Sequence, residues 1–216
     1  MSADERSAAG LYIAMISVHG LLRGHALELG RDADTGGQTK YVVEFVRELA
    51  GKPGVAGVDL FTRRVAAPEV DADYGEPIED LGGGARIVRI EAGPPEEYIP
   101  KEELWDHLDP FVDNMASFLR DGGCLPDVIH SHYADAGYVG SRLAHILGVP
   151  LVHTGHSLGR VKRRRLLATG LPTREIDERY RMSRRIEAEE LTLASADRVV
   201  TSTHQEIEEQ YELYDH

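Results

Sequence analysis

The sequence predicts an α/β fold in which a mainly parallel sheet carries helices on both faces. Segments of strand length alternate with helical segments almost throughout the 216 residues, as in chains built from βαβ units. The first strand segment, Leu11–Val18, is apolar along its whole length, which is typical of a strand covered on both faces. In the next segment, about Thr39–Ala50, apolar residues recur at helical spacing until GKPG breaks the pattern.

The remaining elements continue this alternation. Strands are predicted at Ala56–Thr62 and Ala85–Ala92, separated by a polar, glycine-containing stretch that predicts a surface excursion, Arg63–Gly84. A helix interrupted near Pro110 is predicted over Lys101–Arg120. The later elements are a strand at Pro126–His132, a helix at Ala136–Gly148, a strand at Val149–His156 and a basic loop at Ser157–Arg165. They are followed by a long helix at Thr173–Ala196, a strand at Asp197–Thr203 and a helix at His204–Tyr214.

Composition places the chain among ordinary globular proteins and argues against several other classes. Residues 1–10 predict a flexible tail, and residues 11–216 predict one Rossmann-like domain long enough to bury a core. The net charge of −13 argues against a nucleic-acid partner. No apolar run is long enough to span a membrane, and a single cysteine, Cys124, suits a reducing, cytoplasmic setting.

Ligands of such sheets bind at the carboxyl ends of the strands, because right-handed crossovers bring those ends to one edge. The residues to examine therefore follow three predicted strands, at His19–Gln38, His130–Asp135 and His153–Arg165.

The first of these regions contains the turn DADTGG. Gly36 and Gly37 remove two side chains just before a helix, whose free backbone N–H groups attract anions. The alternative is an ordinary turn in which Asp34 or Thr35 caps the helix. Neither G-x-G-x-x-G nor G-x-x-x-x-G-K-[ST] is present, so the pattern supports neither a dinucleotide nor a P-loop nucleotide.

A basic run follows the last of these strands, with Arg160 and Lys162–Arg165 in an otherwise acidic chain. A sugar phosphate suits this run best, since a few convergent Lys and Arg donors are enough to bind it. An acidic partner, a nucleic-acid backbone and a solvated surface are the alternatives.

Ten histidines raise the question of a metal site. His130 and His132 share one face of their strand, and His153 and His156 end the next. The sequence contains no H-E-x-x-H motif and no cysteine pair, and histidines at strand ends in a cleft more often serve as hydrogen-bonding groups. No metal is therefore predicted.

Seven segments, in unchanged order from about Leu11 to the last residue, are long enough to identify a family: SVHGLLRG, LGRDADTGGQTKYVVE, TRR, IPKEELW, PDVIHSHYADAGYVG, HTGHSLGRVKRRRLLATG and RRIEAEELTLASADRVVTSTHQEIEEQY. Together they resemble the sucrose-phosphate synthase family of retaining glycosyltransferases. Sucrose synthase and mannosylfructose-phosphate synthase share the D-T-G-G-Q core, but LGRDADTGGQ and HSLGRVK are closer to sucrose-phosphate synthase.

The resemblance implies the N-terminal half of a GT-B fold, which mainly holds the acceptor. The family transfers glucose, usually from UDP-glucose, to fructose 6-phosphate, and it needs no cofactor or resident metal. UDP-glucose would bind through a C-terminal donor domain, whose motif of two glutamates separated by seven residues is absent from this sequence. The chain alone is therefore expected to be inactive or nearly so. The alternatives are a sucrose synthase-like or mannosylfructose-phosphate synthase-like transferase, or a catalytically silent sugar-phosphate-binding module.

The resemblance also assigns roles to individual residues. His156 is implied to lie beside the transferred glucose as the catalytic residue, with Gly37 near the donor diphosphate and Asp135 as a secondary candidate for a sugar hydroxyl. The implied acceptor-binding residues are Gly36, Gln38, Lys101, Tyr133, Ser157, Lys162, Arg184 and Arg185. From the sequence alone, Lys101 is better explained as a surface residue, and the alternative for the two arginines is a solvated helix face.

Overall fold

A computed structural model describes residues 10–214 of the chain; the predicted tail, except for Gly10, lies outside the described residues. The strands form one sheet in the order β3-β4-β2-β1-β5-β6-β7. They are β1 (Leu11–Ile16), β2 (Val55–Arg63), β3 (Ile78–Gly82), β4 (Ala85–Ile90), β5 (Val128–His132), β6 (Leu151–Thr154) and β7 (Arg198–Val199). All neighbouring strands pair in parallel except β3, which runs antiparallel to β4.

Seven α-helices lie within residues 10–214. They are α1 (Gly37–Ala50), α2 (Leu108–Asp121), α3 (Ala134–Leu147), α4 (Gly159–Ala168), α5 (Thr173–Tyr180), α6 (Met182–Ser195) and α7 (His204–Glu209). Short 3-10 turns occur at Ala72–Gly75, Leu104–His107 and Tyr211–Tyr214.

The alternating side chains of β1 divide the hydrophobic core between the two faces of the sheet. Ala14 and Ile16 lie in a cluster with apolar residues of α2 and α3. Ile13 and Met15 lie in a second cluster with Val42 and its neighbours on α1. Because β1 is buried on both faces, its unbroken apolar sequence is explained, and the predicted α/β architecture is confirmed.

The region Arg63–Gly84, predicted to be a surface excursion, instead contributes the edge strand β3. Its sequence gave little sign of a strand because charged and glycine residues occupy it. Glu79 holds the strand in place: its carboxylate accepts from Arg89 Nη2 at 2.5 Å and from the Gly24 backbone N–H at 2.7 Å. Specific polar contacts thus replace the hydrophobic alternation that marks most strands.

Two further predictions about helices were wrong. The long helix Thr173–Ala196 is divided at Arg181, whose φ of +46° ends α5 and begins α6. The basic segment predicted as a loop forms α4. The helical segment predicted to be interrupted near Pro110 does divide there: the 3-10 turn Leu104–His107 precedes α2, and Pro110 lies in the first turn of α2, where a missing N–H costs no hydrogen bond.

Candidate functional site

The strand order reverses direction between β1 and β5. The chain leaves β1 toward β2 and β4 on one side, then crosses back to β5 on the other. The crevice at the carboxyl ends of two such strands is the usual ligand site of an open parallel sheet. His19, which follows β1, and Asp135, which follows β5, meet at this point.

His19 and Asp135 form a buried pair, with 2.6 Å between Nδ1 and Oδ2 and exposed fractions of 6% and 1%. Burial alone would lower the pKa of His19, but the charge and hydrogen bond of Asp135 outweigh it, so that the pKa lies above its ordinary value. The other Asp135 oxygen accepts from the Ala136 backbone N–H at 2.6 Å. Sequence reasoning marked Asp135 but assigned no role to His19, although it is the first polar ring after β1.

The start of α1 lies at the same edge of the sheet. Gly36 and Gly37 have ordinary negative φ angles, and a Cβ atom on either would meet no atom within 4 Å. Neither backbone conformation nor packing in this chain therefore requires glycine at these positions. The helix has no side-chain cap and no acidic residue in its first turn, so no side chain of that turn offsets the partial positive charge at its start. The capping alternative, by Asp34 or Thr35, is wrong.

Gln38 occupies the first turn of α1 beside these glycines. Its Nε2 atom is buried and has no hydrogen-bond partner among the residues that the structure describes. An unpartnered buried amide is uncommon and costly. It thus offers unused hydrogen-bonding capacity within the crevice.

A column of histidine rings lines the side of the crevice that faces α1. The His130 and His132 ring centres are 4.3 Å apart, and those of His132 and His156 are 5.2 Å apart. His132 Nδ1 lies 2.9 Å from His156 Nε2, and His130 Nε2 lies 2.9 Å from Thr154 Oγ1. Two rings of α1 cover the column, with Tyr41 5.2 Å from His156 and Phe45 5.7 Å from His130.

The histidines of the column are neutral at pH 7. Burial, together with the charge that His156 would carry, lowers the pKa of His130 to about 4. Burial also puts the pKa of His132 well below its ordinary value. His156 belongs to an exposed turn, but the removal of its ring from water against Tyr41 and His132 lowers its pKa to about 4.

Tyr133, the residue after β5, has a strained backbone conformation. Its φ of +79° and ψ of 171° belong to a region that almost only glycine occupies. The ring is held on two sides, by the His19 ring at 4.7 Å and by the Arg185 guanidinium at 4.6 Å. A conformation of this kind that persists at a ligand crevice indicates a functional constraint on the side chain.

The structure separates Arg184 from Arg185. Arg185 is buried, and it donates to Glu189 Oε1 at 2.9 Å and to the Ser157 carbonyl at 2.6 Å. Arg184 is exposed, 5.8 Å from the Tyr138 ring centre, and lines a cavity together with Glu102, the neighbour of Lys101. Arg185 therefore holds the turn that carries Ser157, whereas Arg184 is solvent-accessible in the adjoining cavity.

Lys101 and Lys162 are held in different ways. Lys101 is ion-paired with Asp34, whose other oxygen accepts from the Lys101 backbone N–H at 2.8 Å. Lys162 has its Nζ 4.2 Å from the centre of the Tyr180 ring, and it forms no ion pair with any residue in the part of the chain that the structure describes. Burial, and then the charge of Arg185, lowers its pKa. Lys162 is thus a partly buried cation that has no ion-pair partner among the described residues, although the charges of Glu102 and Asp34 act on it from farther away.

Most of the assigned residues therefore lie at one edge of the sheet, at the carboxyl ends of β1, β5 and β6 and the starts of the helices that follow. Pairwise contacts link several of them: Tyr41 packs on His156, and both His19 and Arg185 pack on Tyr133. The charge of Arg185 also acts on Lys162. Within residues 10–214, no group of three or more His, Cys, Asp or Glu side chains is arranged to hold a metal ion, and no helix is long and apolar enough to cross a membrane.

Comparison with known proteins identifies relatives of this chain. Residues 36–214 match the family described as the glycosyl transferase 4-like domain. The chain is 52% identical over 235 residues to sucrose-phosphate synthase 4 of Arabidopsis thaliana and 50% identical over 238 residues to sucrose-phosphate synthase of Zea mays. Each alignment covers 99% of this chain and 22% of the relative, so the chain spans about a fifth of the length of these curated relatives.

A solved structure has a similar fold. The sucrose-phosphate synthase of Thermosynechococcus elongatus superimposes with a TM-score of 0.72 and 30% sequence identity, covering 94% of this chain and 45% of that one. The similarity therefore extends over nearly all of the sheet and its helices.

Proposed function

The chain belongs to the glycosyl transferase 4-like family, and from that premise we propose that it is the acceptor-binding half of a retaining glucosyltransferase that makes sucrose 6-phosphate. Fructose 6-phosphate would be the acceptor, and UDP-glucose would be the donor, bound through a second, C-terminal domain. The observation that supports this proposal best is Lys162, a partly buried cation beside Arg185 without an ion-pair partner among the described residues, in a chain of net charge −13. A monoester phosphate fits such a corner.

In the proposed reaction the chain binds and orients groups rather than forming a covalent intermediate. The acceptor hydroxyl attacks the anomeric carbon from the face that the diphosphate leaves, so the new C–O bond forms as the old one breaks. The hydroxyl proton passes to the departing phosphate oxygen. The open glycines would admit the diphosphate to the N–H groups of α1, and His156 would donate a hydrogen bond to the transferred glucose. No cofactor or resident metal takes part in the proposed chemistry.

Acceptor recognition would depend on the two lysines in different ways. Lys162 is available for a phosphate oxygen, because its Nζ contacts the Tyr180 ring and forms no ion pair with any residue between 10 and 214. Lys101 would contribute its side-chain ammonium group to acceptor binding, while Asp34 continues to accept the hydrogen bond from the Lys101 backbone N–H. We propose that Gln38, Tyr133 and Ser157 bind the sugar hydroxyls, and that Arg185 acts beside the phosphate. Arg184, which lines a cavity with Glu102, would contribute from the side of Lys101.

Calorimetry with the isolated domain tests the proposal. Fructose 6-phosphate should bind more tightly than fructose, and Lys162→Ala should remove most of the difference, a loss of about 1.5–3 kcal/mol for a charged hydrogen bond, or roughly 10- to 100-fold in affinity. Arg165→Ala, at an exposed position on the same helix, is the matched control and should have little effect. Equal affinity for the two sugars in a folded domain would contradict the proposal.

A second experiment separates an enzyme half from a silent binding module. The chain alone is expected to release no UDP from UDP-glucose and fructose 6-phosphate. Addition of a separately produced donor domain should restore UDP release. If the acceptor binds and no activity returns, the chain is a sugar-phosphate-binding module. The single cysteine, Cys124, which is unpaired, is compatible with the cytoplasmic location that we propose for the reaction.

A further inference from the structure

His132 is a completely buried histidine with no role in the proposed reaction. It ends β5 with no measurable exposure. Its Nδ1 atom is hydrogen-bonded to His156 Nε2 at 2.9 Å, whereas its own Nε2 has no partner among the described residues. One ring nitrogen of a buried side chain is thus directed at the residue expected to contact the transferred sugar, and the other is left without a hydrogen bond.

The surroundings of His132 and His156 keep both of these imidazole rings neutral. The rings around His132 are those of His130 at 4.3 Å, Tyr41 at 6.1 Å and Phe45 at 6.2 Å, and no carboxylate forms an ion pair with it among the residues described. A neutral imidazole has one N–H donor and one lone-pair acceptor. The hydrogen bond between His132 and His156 therefore runs in one of two directions, and each direction fixes both tautomers.

The unpartnered Nε2 atom decides between the two directions. If His156 Nε2 donates, His132 must carry its own hydrogen on Nε2 and bury an N–H group that has no acceptor. If His132 Nδ1 donates, its Nε2 is a bare lone pair. In protein backbones, buried N–H groups without an acceptor are rarer than buried carbonyl oxygens with an unused lone pair, and the same order is expected for the two states of a ring nitrogen. The second direction is therefore favoured.

We propose that His132 is a positioning residue that fixes the tautomer of His156, so that His156 carries its hydrogen on Nδ1 and presents it to the crevice as a donor. His156 is exposed, and no described residue forms a hydrogen bond with its Nδ1. The backbone φ of His156, +57°, also restricts the direction in which its side chain leaves the backbone. The tautomer itself does not depend on the proposed function. Only the identity of the acceptor of that hydrogen, an oxygen of the transferred sugar, rests on it.

Nuclear magnetic resonance of the chain labelled with ¹⁵N-histidine tests the tautomer directly. Two-bond proton–nitrogen correlations distinguish a protonated ring nitrogen from an unprotonated one. At pH 7 the His156 spectrum should show a protonated Nδ1 and an unprotonated Nε2, with a preference of at least about tenfold over the other tautomer. A protonated Nε2 on His156 would overturn the proposal. Because the measurement needs no sugar, its failure is distinguishable from a failure of acceptor binding.

Three variants isolate the contribution of His132. His132→Leu removes the donor, so the His156 preference should disappear. His132→Asn retains an amide donor near the position of Nδ1, so the preference should persist. His130→Gln is the matched control, because it changes a neighbouring buried ring whose partner is Thr154 and should leave His156 unchanged. An unaltered His156 tautomer in a folded His132→Leu protein would overturn the proposal; if that variant does not fold, the wild-type and His132→Asn spectra decide.

Discussion

At the amino ends of the central strands the buried polar side chains are paired, whereas at the carboxyl ends several are not. The network on the amino side centres on Asp59, in the middle of β2 and 2% exposed, and reaches the amino ends of β1 and β4 through Tyr12 and Arg86. Arg86 donates to both of its oxygens, at 2.8 and 2.5 Å, and the Tyr12 hydroxyl donates at 2.9 Å. Asp127 and Asp197 each bind the backbone N–H of a neighbouring strand, at 2.7 and 2.9 Å.

The carboxyl ends of the same strands differ in two respects. Ser17 Oγ, Gln38 Nε2 and His132 Nε2 are buried without a partner in the described part of the chain. Tyr133 and His156 are non-glycine residues with positive φ. Unused hydrogen bonds and strained backbone both cost stability, and they persist where the surrounding structure enforces them for binding.

The comparison assigns different tasks to the two ends of one sheet. The paired groups at the amino end contribute to stability. The carboxyl end keeps buried polar atoms without partners among the described residues, at a cost in stability. Variants at the amino end should therefore change the free energy of unfolding and leave sugar binding by the folded protein intact, while variants at the carboxyl end should change binding.

The largest expected effect is a loss of stability in acid, caused by the buried histidines of the carboxyl end. Burial lowers the pKa of His130 to about 4 and that of His153 to about 3. A lowered pKa stabilises the folded state above the unfolded value near 6.5, and the stabilisation is lost as pH falls, because the unfolded chain takes up the protons first. Between pH 7.5 and 5 the free energy of unfolding should fall by roughly 2 kcal/mol for each of the two.

Urea unfolding at a series of pH values measures this slope. His130→Gln should make the acid limb shallower, and His145→Gln, at an exposed position, should not. His19 has the opposite sign, because its pKa is raised: its contribution is complete below pH 6.5 and is lost as pH rises through the folded value. An acid limb as steep in His130→Gln as in the wild type would contradict the assignment.

Removal of the carboxylate at the amino end should give the next largest effect. Asp59→Ala leaves the Arg86 guanidinium and the Tyr12 hydroxyl without their partner. Loss of one member of a buried pair costs about 3–5 kcal/mol, and we expect about 3 because the Arg86 side chain is 31% exposed. Asp113→Ala, on the exposed face of α2, should change stability by less than about 0.5 kcal/mol. Weaker sugar binding by folded Asp59→Ala would break the comparison.

The strain at Tyr133 should reverse the usual order of alanine and glycine. In a regular helix glycine is less stable than alanine by about 1 kcal/mol, and Asp113→Gly against Asp113→Ala provides that control on α2. At Tyr133, with φ +79° and ψ 171°, Tyr133→Gly should be more stable than Tyr133→Ala by about 1–3 kcal/mol. Urea unfolding of the four proteins measures both differences. The same order at both positions would show that Tyr133 is not strained.

The sequence was sufficient for the fold class and the edge of the sheet that carries the site, because apolar runs and parallel-strand topology determine both. It did not reveal β3, whose strand is held by Glu79 rather than by hydrophobic alternation. The division of the long helix at Arg181 was equally hidden, since an arginine with positive φ has no signature in composition or periodicity.

For the candidate site, the sequence predicted a set of residues but could not predict the contacts among them. The pairing of His19 with Asp135 joins residues 116 positions apart, and no local pattern encodes it. The adjacent Arg184 and Arg185 are equivalent in sequence, and only their positions around α6 separate a buried side chain from an exposed one. Such distinctions depend on tertiary packing, which local periodicity does not specify.

The smallest expected effect concerns the ring that holds Lys162. Tyr180 keeps the Lys162 Nζ 4.2 Å from its ring centre, and a cation–π contact of this kind is worth about 0.5–1 kcal/mol at a partly exposed position. Tyr180→Phe retains the aromatic face, so affinity for fructose 6-phosphate should remain, whereas Tyr180→Leu should lower it about two- to fivefold. Affinity for fructose, measured by the same calorimetry, should not change. If Tyr180→Phe lowers the affinity for fructose 6-phosphate as much as Tyr180→Leu does, the effect belongs to the Tyr180 hydroxyl. If Tyr180→Leu lowers the affinities for fructose and fructose 6-phosphate equally, the effect belongs to the packing of α5.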